Sequence, residues 1–142
     1  MIKPDGTARG LEEKILEQIR KAGLKIACSK RLKITPVLAA DLYYPHLGKS
    51  FYDGLIKFIT SGEVVVNLVE GERAIARLRE VMGATDPGAA LPGTIRGDFR
   101  EDNYRTAEGT IKNLVHGSDS PESAQREAAI FFQACLPAGR ED

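Results

Sequence analysis

The alternation of apolar and polar positions divides the chain into a short series of elements. Residues 10–22 set Leu11, Ile15, Leu16, Ile19 and Ala22 on one stripe at helical spacing, with Glu and Lys elsewhere, and Gly23 follows as a natural helix stop. From 24 to 34 the period shortens to two. Leu24, Ile26, Cys28, Leu32 and Ile34 share one face, broken only by Lys30, which predicts a half-buried strand. Thr35-Pro36 reads as an N-cap and first helical residue, opening a short helix through Leu38 and Leu42, and Phe51–Ile59 reads as a second. Glu63-Val-Val-Val-Asn-Leu-Val69 is an apolar, β-branched run ended by Gly71, which predicts a buried strand. Residues 72–82 return to helical spacing with Ala74, Ile75, Leu78 and Met82 inward. Between Gly83 and about Gly109 the period dissolves among Gly, Pro and polar residues, as in a functional loop or a disordered one. Ile111–His116 predicts a short strand, and Ser120-Pro121 caps a last helix with Ala124, Ala128 and Phe131 on its inner face.

Residues 1–3 supply a very short first strand, and the two short helices read as an inserted hairpin. The order is then βαββαβ, a ferredoxin-like α+β arrangement: an antiparallel sheet with helices on one face, a helical hairpin insertion and a long loop before the last strand. A chain of 142 residues is expected to form one domain, 1–142.

Charge narrows the function classes. Twenty Lys and Arg balance twenty Asp and Glu, which argues against wrapping nucleic acid or coating a membrane and leaves room for a small anion held by a few focused cations. Two Cys and two His make a tetrahedral zinc site hard to assemble, so Cys28 and Cys135 are expected to be reduced thiols. No apolar run approaches a membrane span and the opening residues show no signal-peptide pattern, so a soluble, cytoplasmic protein is expected.

Candidate chemistry concentrates in Asn113-Leu-Val-His-Gly-Ser-Asp-Ser120, where a strand ends on His116 and small oxygen-bearing residues lead into a helix N-terminus that favours an anion. A His there can be base, metal ligand or phosphoryl acceptor; a lone His more often just closes the strand. Glu127 falls on or beside the apolar face of the last helix, where a carboxylate needs a partner. His116 and Ser118 are candidates, and a Glu reaching water at the stripe's edge fits the pattern equally well. A second group is cationic: Lys3, Arg79 and Arg96, with Thr85 between them, could converge on phosphate oxygens, or each could be a solvated surface residue. Gly48-Lys49-Ser50 is not a P-loop, because Tyr43 stands where its first glycine is needed. Arg96-Gly97-Asp98 is a tripeptide common by chance, and His46 reads as a surface residue in a polar turn.

Together these residues resemble one family. Ile2-Lys-Pro-Asp-Gly6, Arg9-Gly10, Phe51 with Gly54-Leu55, Ser61-Gly62, Gly83-Ala-Thr-Asp-Pro87, Pro92-Gly-Thr-Ile-Arg-Gly-Asp-Phe99 and Asn113–Ser120 look like the signature blocks of nucleoside diphosphate kinases, in that family's order and over nearly the whole chain. The resemblance implies a ping-pong reaction in which a nucleoside triphosphate phosphorylates His116 and a nucleoside diphosphate then takes the group. It implies that Lys3, Tyr43, Arg79, Thr85, Arg96 and Asn113 hold phosphates and ribose, that Phe51 stacks on the base beside Leu55, and that Ser118 and Glu127 orient His116. Mg²⁺ is the implied cofactor, bound largely through the phosphates with help from Asp119, and a homo-oligomer, hexamer or tetramer, is the implied assembly. An inactive or weakly active scaffolding homologue of the same fold is the alternative.

Three features depart from the family's common form. About three residues are left to fill the central first strand, which normally begins several residues earlier; sixteen residues, 100–115, separate Phe99 from His116, several more than usual; and a short tail containing Cys135 follows Phe132.

Overall fold

The computed structural model describes residues 1–133. Its framework is one antiparallel pair: β1 (Lys25–Lys33) runs beside β2 (Glu63–Glu70) in a register that puts Lys33 opposite Glu63, with an irregularity between Ile26 and Cys28. Ile2 extends the sheet by a single bridge to Val65 on one side and another to Val115 on the other. The spatial order is therefore β1, β2, the first segment, the segment ending at His116. This is the order and antiparallel sense of the ferredoxin-like fold, with both ladders of the first segment reduced to one residue pair.

Alternation along β2 decides what packs where. Val65 faces a cluster with Ile2, Ile15, Ile19, Leu24, Met82, Ile95 and Val115, while Val64 and Val66 face a second cluster with Ile34, Leu42, Tyr43, Ile59 and Phe131. The first cluster is roofed by the crossover helices α2 (Glu12–Lys21) and α5 (Ala74–Met82); the second by the inserted helices α3 (Pro36–Leu42) and α4 (Tyr52–Ile59) and by α7 (Pro121–Phe131). β2 is thus sandwiched, which explains its unbroken apolar run. Burying Ile15 completely contributes about 1.5–3 kcal/mol.

The Pro-Asp-Gly segment forms a short helix, α1 (Pro4–Ala8), begun by Pro4; a Cβ on Gly6 would lie 2.8 Å from the Ile2 side chain. The stretch after Gly83 is ordered by local caps. Asp86 caps a 3₁₀ turn at Pro87–Ala89, and Thr94 caps the four-residue helix α6 (Ile95–Asp98). Cys135, one of the two cysteines expected to be reduced thiols, lies outside the described residues.

Candidate active site

His116 is set by backbone on both sides. Its N–H donates to the Met1 carbonyl at 2.9 Å, and the chain reaches it through a tight turn in which the Val115 N–H donates to the Asn113 carbonyl at 2.8 Å. Leu114, the middle residue of that turn, has φ +72, a conformation costly for a branched side chain. It is held there: its N–H donates to Asp5 Oδ2 at 3.0 Å, its carbonyl accepts from the Lys3 N–H at 2.8 Å, and its side chain is buried. The Lys-Pro-Asp segment therefore shapes the strand end that carries the imidazole.

The imidazole meets Glu127. His116 Nε2 lies 2.5 Å from Glu127 Oε1, and the Ser118 hydroxyl donates to the same oxygen at 3.2 Å. Burial alone would push the Glu127 carboxyl up, but the bonds from His116 and Ser118 and the nearby Arg126 charge outweigh it and hold the carboxyl below its usual value. An ionised carboxylate can only accept, so Nε2 carries the proton and Nδ1 keeps its lone pair. Burial lowers the pKa of His116, and the Glu127 bond opposes that shift without cancelling it. The ring is thus neutral near pH 7, and with 25 % of its side chain exposed it remains reachable.

Beside it lies the cationic group. Lys3, fully buried, donates from Nζ to Asn113 Oδ1 at 2.9 Å, and burial brings its pKa down to about 8. Asn113 Nδ2 donates in turn to the Thr85 carbonyl at 3.0 Å, which ties the loop after α5 to the strand end. Arg96 departs from a simple phosphate fork. Its Nε donates to the Asn113 carbonyl at 3.1 Å, Nη1 to Gly83 at 2.9 Å and Nη2 to Val115 at 2.7 Å, so three of its five donors staple the loop to the strand and two remain. Burial and the Arg79 charge bring its pKa down to about 10. Arg79 itself is exposed, and its charge also acts on exposed Asp119, whose carboxyl is lowered first by its bond with Ser123.

The aromatic side of the site was only partly legible beforehand. Tyr43 is buried, packs edge-on to His116 with centroids 5.8 Å apart, and its hydroxyl has no partner among the described residues. His46 is a correction: it is half-buried, stacked on Tyr43 at 6.3 Å and edge-on to Phe51 at 5.4 Å, with Lys49 Nζ 3.2 Å from its Nδ1. Lys49 also lies over the Phe51 ring at 5.7 Å. A 3₁₀ turn over Tyr44–His46 follows α3 and sets His46 against the Tyr43 ring, and a polar sequence context gives no sign of that. Phe51 is half-exposed at 50 %, and Leu55 is partly buried on the next turn of α4. The structure brings Lys3, Asn113, Thr85 and Arg96 into one bonded network and Tyr43, Ser118 and Glu127 around His116. Phe51 joins only through His46; Arg79 and Asp119 sit at the rim.

A cavity of about 130 Å³ opens behind His116 and Glu127, walled by Val66, Leu68, Ala74 and Leu78. It is smaller than a nucleotide requires and lacks the cationic group, so the candidate ligand face is the exposed side carrying Phe51, Thr85 and Arg79.

The family model described as nucleoside diphosphate kinase matches residues 1–136. A nucleoside diphosphate kinase of Campylobacter hominis is 47 % identical over 99 % of this chain and 94 % of its own length, and one from Listeria monocytogenes is 50 % identical over 93 % of this chain and 85 % of its own. Among solved structures, the Halobacterium salinarum nucleoside diphosphate kinase in complex with CDP superposes with TM-score 0.82 at 42 % identity, covering 93 % of this chain and 84 % of that one. A transition-state mimic of the Borrelia burgdorferi nucleoside-diphosphate kinase, with vanadate and ADP, superposes with TM-score 0.85 at 34 % identity, covering 99 % of this chain and 90 % of that one.

Proposed function

Because the chain belongs to the nucleoside diphosphate kinase family, we propose that it passes the γ-phosphoryl group of a nucleoside triphosphate to a nucleoside diphosphate through a phosphorylated His116. The observation that carries the assignment is the His116–Glu127 contact, which leaves Nδ1 as the nucleophile. The Nδ1 lone pair forms a bond to the γ-phosphorus while the bond from that phosphorus to the bridging oxygen breaks, and the diphosphate leaves with the electron pair. The ring then carries positive charge, which the Glu127 carboxylate stabilises through Nε2–H. In the second half, the terminal oxygen of another diphosphate attacks and Nδ1 departs.

Phosphoryl transfer asks a protein chiefly for positioning and charge neutralisation. Lys3, Arg79, Thr85, the two remaining Arg96 donors and Asn113 suit phosphate and ribose oxygens, and the unpartnered Tyr43 hydroxyl suits an oxygen of the group on His116. Phe51 with Leu55 offers a stacking platform, tolerant of base identity because every base has a π-face. Among the described residues no three His, Cys, Asp or Glu side chains cluster as a metal site. Mg²⁺ binds readily through nucleotide phosphates and one or two carboxylates, and exposed Asp119, at the rim near Arg79, could serve as such a carboxylate. Bound there, the ion would neutralise phosphate charge. We place this activity in the cytoplasm, in a homo-oligomer of six or four chains; no helix among the described residues is long and apolar enough to cross a membrane.

The test is incubation with γ-labelled ATP and Mg²⁺. The expected product is an acid-labile, base-stable phosphoprotein, lost in His116→Ala at unchanged fold. Folded wild-type protein that takes no label would instead be a nucleotide-binding scaffold.

A further inference from the structure

The stretch between α6 and His116 contains a closed hairpin. Arg105 and Ile111 bridge, the Lys112 N–H donates to the Tyr104 carbonyl at 2.7 Å, and the Thr106 N–H donates to the Thr110 carbonyl at 2.9 Å. Gly109, at φ +83, makes the turn, and Arg105 Nη1 reaches its carbonyl at 3.2 Å. At its base, Lys112 Nζ donates to Glu101 at 2.7 Å, and Arg100 Nη1 donates to the Pro87 carbonyl at 3.1 Å.

Its two flanks touch the two walls of the ligand face. On one side, Glu108 pairs with Lys57 of α4, and Thr110 lies so close to Gly54 that a Cβ there would collide with its hydroxyl. On the other, the Tyr104 hydroxyl lies 2.6 Å from where a Cβ on Gly88 would stand, in the turn following Thr85. Gly54 and Lys57 share α4 with Leu55, and Phe51 is the N-cap of that helix.

Resting on the nucleotide site proposed above, we infer that the hairpin of residues 104–111 is a brace that sets the spacing between the base platform and the phosphate-side loop, with Glu108 and Thr110 as positioning residues for nucleotide affinity. α4 packs through Ile59 into the cluster with Val64 and Phe131, and the hairpin adds a second hold on it, at Gly54 and Lys57, from the side of the loop that carries Thr85. A ligand that spans both walls, base on one and phosphates on the other, feels that spacing. A phosphoryl donor without a base does not.

The experiment measures ADP affinity by titration calorimetry, steady-state kcat and KM, and the labelling of His116 by phosphoramidate, a donor lacking base and ribose. Glu108→Lys places like charge against Lys57 and is expected to weaken ADP binding and raise KM by about two- to five-fold, the scale of an exposed pair. Labelling by phosphoramidate should stay unchanged, and the exchanged pair Lys57→Glu/Glu108→Lys should recover ADP affinity. Gly54→Ala is expected to act in the same direction, with rescue by Thr110→Ala, which removes the obstructing hydroxyl. Unchanged ADP affinity in both single variants, or failure of both rescues, overturns the brace. Should wild-type protein bind ADP yet take no label from either donor, the His116 assignment falls while the affinities still decide the brace.

Discussion

The pKa direction of His116 translates directly into behaviour. Burial holds its folded value below the usual 6.5, so the proposed nucleophile is neutral at pH 7 and its lone pair is lost only as pH falls through that lowered value. The rate of phosphorylation is therefore expected to be flat across neutral pH and to drop on the acid side below the ordinary imidazole range. Glu127→Gln removes the contact that raises the imidazole pKa, so the acid limb should move further down. It also removes a charge-assisted bond to the developing ring cation, worth about 1.5–3 kcal/mol, or about ten- to hundred-fold in rate. A pH–rate profile of single-turnover labelling reads both. An acid limb that moves up in Glu127→Gln would contradict the arrangement. Lys3 supplies the alkaline limb: its charge is lost as pH rises through about 8, so kcat/KM should fall there. A profile flat to pH 10 would mean that Lys3 does not meet phosphate.

Elements matter here for where they point one side chain. α7 starts at Ser120, whose Oγ accepts from the Ser123 N–H at 3.1 Å, and it carries Glu127 two turns on. Removing the cap with Ser120→Ala should cost about 0.5–2 kcal/mol of stability, measured by denaturant unfolding, without abolishing labelling. The helix is also tied to the end of α3: Arg126 donates to the Asp41 carbonyl at 2.7 Å and the Leu42 carbonyl at 3.0 Å, satisfying groups the helix end leaves unpaired. Since Tyr43 follows Leu42, Arg126 couples the position of Tyr43 to that of Glu127, the two groups that flank His116. Most of these elements were readable from periodicity and caps, because local propensity and the core stripe agree in α2, α3, α5 and α7. The segment after Gly83 was not, since its order comes from two capping residues, Asp86 and Thr94, and a hairpin rather than from an apolar period.

At the scale of the molecule, the two ladders that join the first segment to its neighbours each rest on one residue, Ile2, so tertiary packing carries most of the cohesion between the halves. Ile2→Ala should therefore be severe, about 2–5 kcal/mol, and a melting shift no larger than that of an exposed substitution would show that the ladder is dispensable. Val37, Tyr44, Leu47 and Leu91 are large apolar side chains exposed on one chain. Light scattering of purified protein should report a mass of several chains, and a monomer at micromolar concentration would rule the assembly out.

The sequence alone determined the order of the main elements and singled out His116 and its companions as the candidate site, because hydrophobic period is a local property and the family's motifs are contiguous in the chain. Tertiary structure decided the rest. It showed that Arg96 spends three donors on carbonyls, that His46 turns inward to join Tyr43 to Phe51, and that residues 104–111 reach across to α4. Each of these depends on a partner distant in sequence or on a backbone direction set by a turn. Neither leaves a trace in the spacing of apolar residues.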